Sequence, residues 1–175
     1  MKRILIACST VDGHTVEIGR RLQEQLAALG HTPELVQLEQ TPSLPLADYD
    51  QIVIGASIRY GHFRPALYQF VERNAALLAS KPSAFYAVNA VARKPAKQTA
   101  ETNPYTRKFL AKVPWKPALV GVFGGKINYP QLGPLDRNVI RFIMWMTKGP
   151  TDPRSVTDFT DWAQVEAFGR KLAEQ

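Results

Sequence analysis

The chain has 175 residues, 45% of them hydrophobic and 21% charged, with a net charge of +7; a chain of this size buries one substantial core and is expected to form a single domain, 1–175. The lone cysteine, Cys8, excludes an intramolecular disulfide and leaves no metal-ligand cluster, so no metal is expected. No stretch reaches the roughly 20 apolar residues that span a bilayer, and Lys2 and Arg3 precede too short an apolar run for a secretory leader, which points to the cytoplasm.

The first strand is read over residues 2–8. It breaks into Ser9-Thr10-Val11-Asp12-Gly13-His14-Thr15, a loop of hydroxyls around one glycine with a helix-period segment directly behind it. Free backbone N–H groups at a helix start, backed by the helix dipole, favour an anion, most naturally a phosphate. The loop has neither the glycine triplet of dinucleotide folds nor the Gly-Lys-Ser/Thr of the P-loop. The same residues also read as a capping device, with Thr10, Asp12 or Thr15 satisfying helix amides. The first helix is expected over about 15–29, with Ile18, Leu22, Leu26 and Leu29 on one face and Gly30 ending it.

A second strand is expected over 34–38, a loop over 41–45 and a third, buried strand over 50–56. Ser57-Ile58-Arg59-Tyr60-Gly61-His62 follows, and Pro65 opens a helix that turns Leu67, Phe70, Val71 and Leu77 inward. Strand four is read over 83–89, a basic helix near 104–112, strand five over 119–124 and a last helix over about 161–173 with Thr160 as its N-cap. Strands alternating with helices predict an α/β fold with a parallel sheet covered on both faces. Five strands fit the doubly wound order 2-1-3-4-5, in which a ligand lies beyond the carboxyl ends of the strands at the switch point. Loops 9–15, 57–62 and 89–93 then share one site.

Two features exceed that plan. Residues 93–116 hold seven basic side chains against Glu101 alone, a net +6, which suits an anionic partner or a solvated basic face. No recognition motif accompanies them, so nucleic acid is not expected. Between strand five and the last helix, 125–154 is an insertion longer than an ordinary connection. At about 100° per residue, its segment 136–148 puts Arg137, Arg141 and Lys148 in one stripe, interrupted by Met144. Val139, Ile140, Phe142, Ile143 and Met146 lie opposite. Such a helix packs its apolar face on the domain, or meets a membrane interface or an apolar ligand. Its aromatic and methionine content, Trp145 included, favours a lipid- or quinone-facing role.

The phosphate loop resembles that of flavodoxins, and several longer runs resemble a narrower branch, the FMN-containing, quinone-dependent protoporphyrinogen oxidases of bacteria. These runs are Val53-Ile54-Gly55-Ala56-Ser57-Ile58-Arg59-Tyr60-Gly61-His62, Pro82-Ser83-Ala84-Phe85-Tyr86 through Asn89 to Val91-Ala92-Arg93-Lys94-Pro95, Thr102-Asn103-Pro104-Tyr105 with Arg107-Lys108-Phe109-Leu110, and Thr160-Asp161-Trp162. The likeness covers essentially the whole chain, insertion included. Asp12 stands where flavodoxins generally place a phosphate-binding Thr, and the oxidase branch shares that Asp. Asp12 is expected to turn away and cap the helix while its N–H serves the phosphate.

The resemblance implies a flavodoxin-like domain that binds FMN and oxidises protoporphyrinogen IX to protoporphyrin IX, passing electrons to menaquinone or ubiquinone. It implies FMN contacts from Ser9, Thr10, Val11, Asp12, Gly13, His14 and Thr15 at the phosphate. Ser57, Ile58, Arg59, Tyr60 and Gly61 would lie along the isoalloxazine, with Tyr60 a stacking candidate, and Phe85, Asn89, Val91 and Ala92 would complete the set. Arg59 is the candidate for stabilising charge on reduced flavin, or else a surface ion pair. Arg93, Lys94, Arg137 and Arg141 could meet substrate propionates or anionic lipid heads, with Trp145 beside them and the protein bound peripherally to the inner face of the cell membrane. A flavodoxin-type electron carrier and an FMN-dependent NAD(P)H:quinone reductase are the alternative readings.

Overall fold

The structure, a computed structural model, describes residues 1–41 and 43–175. Pro42, one residue of the expected 41–45 loop, lies outside the described residues. Strands β1 (Arg3–Ser9), β2 (Thr32–Gln37), β3 (Gln51–Ser57), β4 (Ser83–Asn89) and β5 (Leu119–Gly124) form a five-stranded sheet in the order β2-β1-β3-β4-β5. Every pairing in it is parallel. The expected topology is therefore the observed one.

Side-chain alternation divides the core into two layers. Leu5, Ala7, Ile52, Ile54, Phe85 and Ala87 point to one face. There they meet Leu67 and Val71 of α2 (Pro65–Arg73), Leu78 of α3 (Ala75–Ser80) and Phe109 of α4 (Pro104–Lys112). Ile4, Ile6, Cys8, Val53, Ala84 and Tyr86 point to the other. They meet Ile18, Leu22 and Leu26 of α1 (His14–Ala28), and Val165, Phe168 and Leu172 of α6 (Trp162–Glu174). Because both faces are covered, these strands read as continuous apolar runs rather than alternating ones.

Three local expectations are corrected. The helix from Pro65 breaks at Asn74, whose side-chain amide donates to the Phe70 carbonyl at 2.8 Å; after the break Leu78 is buried in the core, with Leu77 packed half-buried against it. Asp161, not Thr160, caps α6, accepting from the N–H groups of Ala163 and Gln164 at 3.1 and 3.3 Å. The insertion contains α5 (Pro134–Met146), and two short strands, β6 (Lys126–Asn128) and β7 (Val156–Asp158), pair antiparallel around it. Strands of three residues are too short to leave a period in the sequence.

One core contact reaches directly into the loop after β1. The Tyr86 ring lies against Gly55, and its hydroxyl lies beside Gly19. Its hydroxyl donates to the Thr15 carbonyl at 2.9 Å and contacts the Cys8 thiol at 3.1 Å. Burial pushes that thiol up to about 12, so Cys8 packs as a small hydrophobe. A Cβ at Gly55 would overlap the Tyr86 ring. Gly55→Ala should therefore cost about 3 kcal/mol in denaturant unfolding, with loss of near-ultraviolet tyrosine dichroism as the ring is displaced.

Candidate functional site

The carboxyl ends of β1, β3 and β4 carry loops 9–15, 57–62 and 89–93, as expected of a doubly wound sheet. In the first, Gly13 takes a left-handed φ of 86° and α1 starts at once, with no side chain capping it. The Gly13 N–H is turned back onto Thr10 Oγ1 at 3.0 Å. The N–H groups of His14, Thr15 and Val16 have no acceptor among the described residues. The Thr15 hydroxyl is fully buried and also has no partner there. Unbonded N–H groups and an orphaned hydroxyl at a helix N-terminus are a donor set of the kind that takes up an oxyanion. The chemistry of this donor set fits a phosphate.

The surroundings hold this loop in shape. Arg64 donates to the Thr10 carbonyl at 2.7 Å, and Ser9 donates to Glu39 at 2.6 Å. The His14 side chain is spent elsewhere. Thr160 gives its hydroxyl proton to the Gly124 carbonyl, at 2.9 Å. His14 Nε2 must therefore be the donor in its 2.6 Å bond to Thr160 Oγ1. Nδ1 of the same ring lies 3.0 Å from Glu17. His14 thus ties α1 to the segment before α6 and offers the site only its backbone N–H. Nearby, burial would raise the Asp158 carboxyl, but the hydrogen bond from the Thr160 N–H and attraction to His14 hold it below the usual carboxylate range.

Loop 57–62 closes as a tight hairpin. Arg59 and His62 exchange backbone hydrogen bonds at 2.9 and 3.1 Å, and the two residues between them, Tyr60 and Gly61, have φ of 51° and 79°. Positive φ at both central positions is the backbone of a type I′ turn, which glycine accepts freely and tyrosine does not. Tyr60 is left 48% exposed, so its ring is open to a planar partner. Arg59 is held in ion pairs, the second of the two readings its sequence context offered. It pairs with Asp12 at 2.8 Å and with Asp136 of α5 at 3.2 Å. Asp12 does turn from the oxyanion receptor as expected, but it neutralises Arg59 instead of capping α1.

The third loop is a short 3-10 turn over Ala90–Arg93, and Asn89 caps it by accepting from Ala92 N–H at 3.0 Å. Asn103 donates to the same Asn89 oxygen at 3.0 Å. The Asn89 side chain is therefore structural. Val91 is partly exposed beside it, while Ala92 is buried. Phe85 is corrected outright: it is fully buried, stacked at 4.8 Å from Phe109 and edge-on to Phe63 and Trp115. In the parallel strand it points into the helix-covered layer, away from the loops.

The insertion helix leaves much of its apolar face outside, while its arginines turn to backbone carbonyls rather than to open space. Arg137 donates to the carbonyls of Tyr129 and Leu132 at 3.3 and 3.2 Å, and Arg141 to that of Thr151 at 2.8 Å. Met144, between them on the wheel, is buried with Ile127 and Tyr129. Arg137 and Arg141 thus bond to the surrounding backbone, although Arg141 and Lys148 stay exposed. The opposite face is left outside: Leu135, Phe142, Trp145 and Met146 are 77%, 59%, 71% and 63% exposed. Arg93 meets the far end of α5, donating to Thr147 O and Oγ1 at 2.9 Å each, and burial lowers its guanidinium below the ordinary value. Lys94 is exposed next to it. Arg64, Glu39, Asp136 and Thr147 are the members that sequence reasoning missed. Asp136 alone left a signal, as the acidic residue opening a helix.

Comparison with known proteins fits this geometry. A family profile described as a flavodoxin domain matches residues 5–154. The protoporphyrinogen IX dehydrogenase (quinone) of Escherichia coli K12 is 44% identical over 171 residues, covering 98% of this chain and 94% of that protein. The chain belongs to the flavodoxin-domain family, in the group of these dehydrogenases. A Leishmania major member of the same name is 44% identical over 172 residues, covering 98% of this chain and 74% of its own. Among solved structures, oxidised flavodoxin 1 of Bacillus cereus aligns with TM-score 0.55 at 13% identity, over 99% of this chain and 98% of that one. A flavodoxin from the domain Archaea aligns with TM-score 0.53 at 13% identity, over 98% and 96%. These two show the shared fold of the family.

The orphaned Thr15 hydroxyl yields a direct stability test. A buried hydroxyl with no partner contributes desolvation cost and no bond, so Thr15→Val should leave ligand-free stability unchanged or raise it by up to about 1 kcal/mol. Urea unfolding of the apoprotein measures this; a loss of 2 kcal/mol or more (roughly the cost of breaking a buried bond) would show that the hydroxyl is already satisfied.

Proposed function

We propose that this chain is an FMN-dependent dehydrogenase that oxidises protoporphyrinogen IX and delivers the electrons to a membrane quinone, menaquinone or ubiquinone. The observation that carries the reading is the uncapped start of α1 with its orphaned Thr15 hydroxyl, in a chain 44% identical to quinone-dependent protoporphyrinogen IX dehydrogenases over 98% of its length. When bound, FMN would supply the hydride and electron transfer, which no side chain of the protein can perform. The N–H groups of His14 and Thr15 and the Thr15 hydroxyl would hold its phosphate. The Tyr60 ring and the 57–61 backbone would lie along one side of the isoalloxazine, and Val91 would meet its other edge.

For the substrate, an apolar macrocycle with carboxylate arms, the cations divide. Arg93, Arg137 and Arg141 are committed to backbone carbonyls. Lys94, exposed at the end of the third loop, is the cation best placed to meet a propionate. The outward face of α5 supports peripheral binding to the inner face of the cytoplasmic membrane. A helix that exposes Leu135, Phe142, Trp145 and Met146 on a protein of net charge +7 suits an anionic bilayer that carries the quinone. Among the described residues no helix is long and apolar enough to cross a membrane.

The test is an anaerobic assay of FMN-loaded protein with protoporphyrinogen IX, following porphyrin fluorescence. Quinone-dependent fluorescence is expected, and its absence with FMN and quinone present would contradict the reading. Trp145→Ser should lower the rate about tenfold with quinone in anionic vesicles, the loss of one buried aromatic anchor. The same variant should keep its rate with a water-soluble quinone; equal losses with both acceptors would remove the membrane role.

A further inference from the structure

We propose that Asp136, in the first turn of α5, is the positioning residue of the Arg59–Tyr60 hairpin tip, so that the insertion sets the geometry of the ring-side loop. The hairpin does not hold itself. Tyr60 sits in the left-handed region at φ 51°, a conformation that a bulky side chain keeps only when its surroundings over-determine it. The only bonds closing the turn are the two between Arg59 and His62 among the described residues.

The restraint comes from outside the sheet. One carboxylate oxygen of Asp136 accepts the Tyr60 phenol, and the other pairs with Arg59 Nη2 at 3.2 Å. The Arg59 guanidinium lies 5.6 Å from the Tyr60 ring centroid, and its other nitrogen reaches Asp12 at 2.8 Å. One side chain of α5 thus fixes both side chains at the hairpin tip, and through Arg59 it meets the loop after β1. Asp136 is in turn well anchored. A carboxylate in the first turn complements the helix dipole, as does Arg93 at the last carbonyls of α5. Met144 pins the middle of the helix to Ile127 and Tyr129. The helix therefore bridges the 57–62 and 90–93 loops, with an arginine from each loop on one of its ends.

Positioning and a merely local helix role predict different readouts. Hydrogen exchange of the ligand-free full chain is measured for wild type, Asp136→Ala, Asp136→Asn and the remote surface control Glu72→Gln. The proposal expects exchange over 59–62 to rise about tenfold or more in Asp136→Ala. Asp136→Asn, which keeps an acceptor for the Tyr60 phenol, should fall between, with β4 unchanged throughout and Glu72→Gln like wild type. Faster exchange confined to 134–147, with 59–62 as in wild type, would overturn it. If Asp136→Ala does not fold, Asp136→Asn decides: faster exchange over 59–62 supports the proposal, and wild-type exchange there refutes it.

The consequence for the ligand rests on the flavin reading above. There, Asp136→Ala should weaken FMN about tenfold in a fluorescence-quenching titration and Glu72→Gln should not. Failure of the wild type itself to bind FMN would refute the flavin reading while leaving the exchange result to decide the role of Asp136.

Discussion

Helix α1 begins without a cap, and the candidate site is organised around that fact. Most helices satisfy their first amides with a Ser, Thr, Asp or Asn side chain. Here all the necessary side chains are present in the loop, yet each is directed elsewhere. Thr10 bonds Gly13, Asp12 pairs with Arg59, and Ser9 donates to Glu39. The left-handed Gly13 lets the chain enter the helix in one residue, so that three N–H groups and the Thr15 hydroxyl are left facing the same space. Tyr86 props the Thr15 carbonyl from the core. The open amides are therefore held against the buried core, which suits a site preorganised for an anion.

A carboxylate one residue before Gly13 would oppose an anion unless it were neutralised. Arg59 does this, and it belongs to the second loop of the site; the second carboxylate on the same guanidinium belongs to the insertion. Charge compensation at the oxyanion receptor thus connects three segments that are far apart in sequence. The insertion itself inverts the usual surface pattern. Its arginines satisfy carbonyls of the irregular chain around β6 and β7, where unbonded polar groups would be costly, while Leu135, Phe142, Trp145 and Met146 face outward. Large apolar residues grouped on an outward face are unusual for solvent-facing surface and suit the membrane contact proposed above.

The sheet order and its site loops were legible in the sequence because buried parallel strands leave continuous apolar runs and their connections leave Gly, Pro and hydroxyl punctuation. The candidate oxyanion loop stood out for the same reason: Ser9 to Thr15 joins such a strand directly to a helix. What escaped was direction. A helical wheel separated the Arg137–Arg141 stripe from the Phe142 face, but periodicity does not say which side meets the protein, and the carbonyls that take up the arginines come from irregular segments. Phe85 escaped similarly. Its strand was read correctly, but the face to which a residue points depends on the layer of helices across it. For Arg59 the sequence left open an ion pair as well as a charge-stabilising role, but not its partners, because Asp12 and Asp136 lie 47 and 77 residues away.

The central claim is that the start of α1 is a phosphate receptor. It is tested most directly by comparing the affinity of the apoprotein for FMN with that for riboflavin, which carries the same ring system and no phosphate. The account predicts that FMN binds at least about 100-fold more tightly, the worth of two charge-assisted hydrogen bonds. Equal affinities would contradict it, since the open amides would then contribute nothing to cofactor binding.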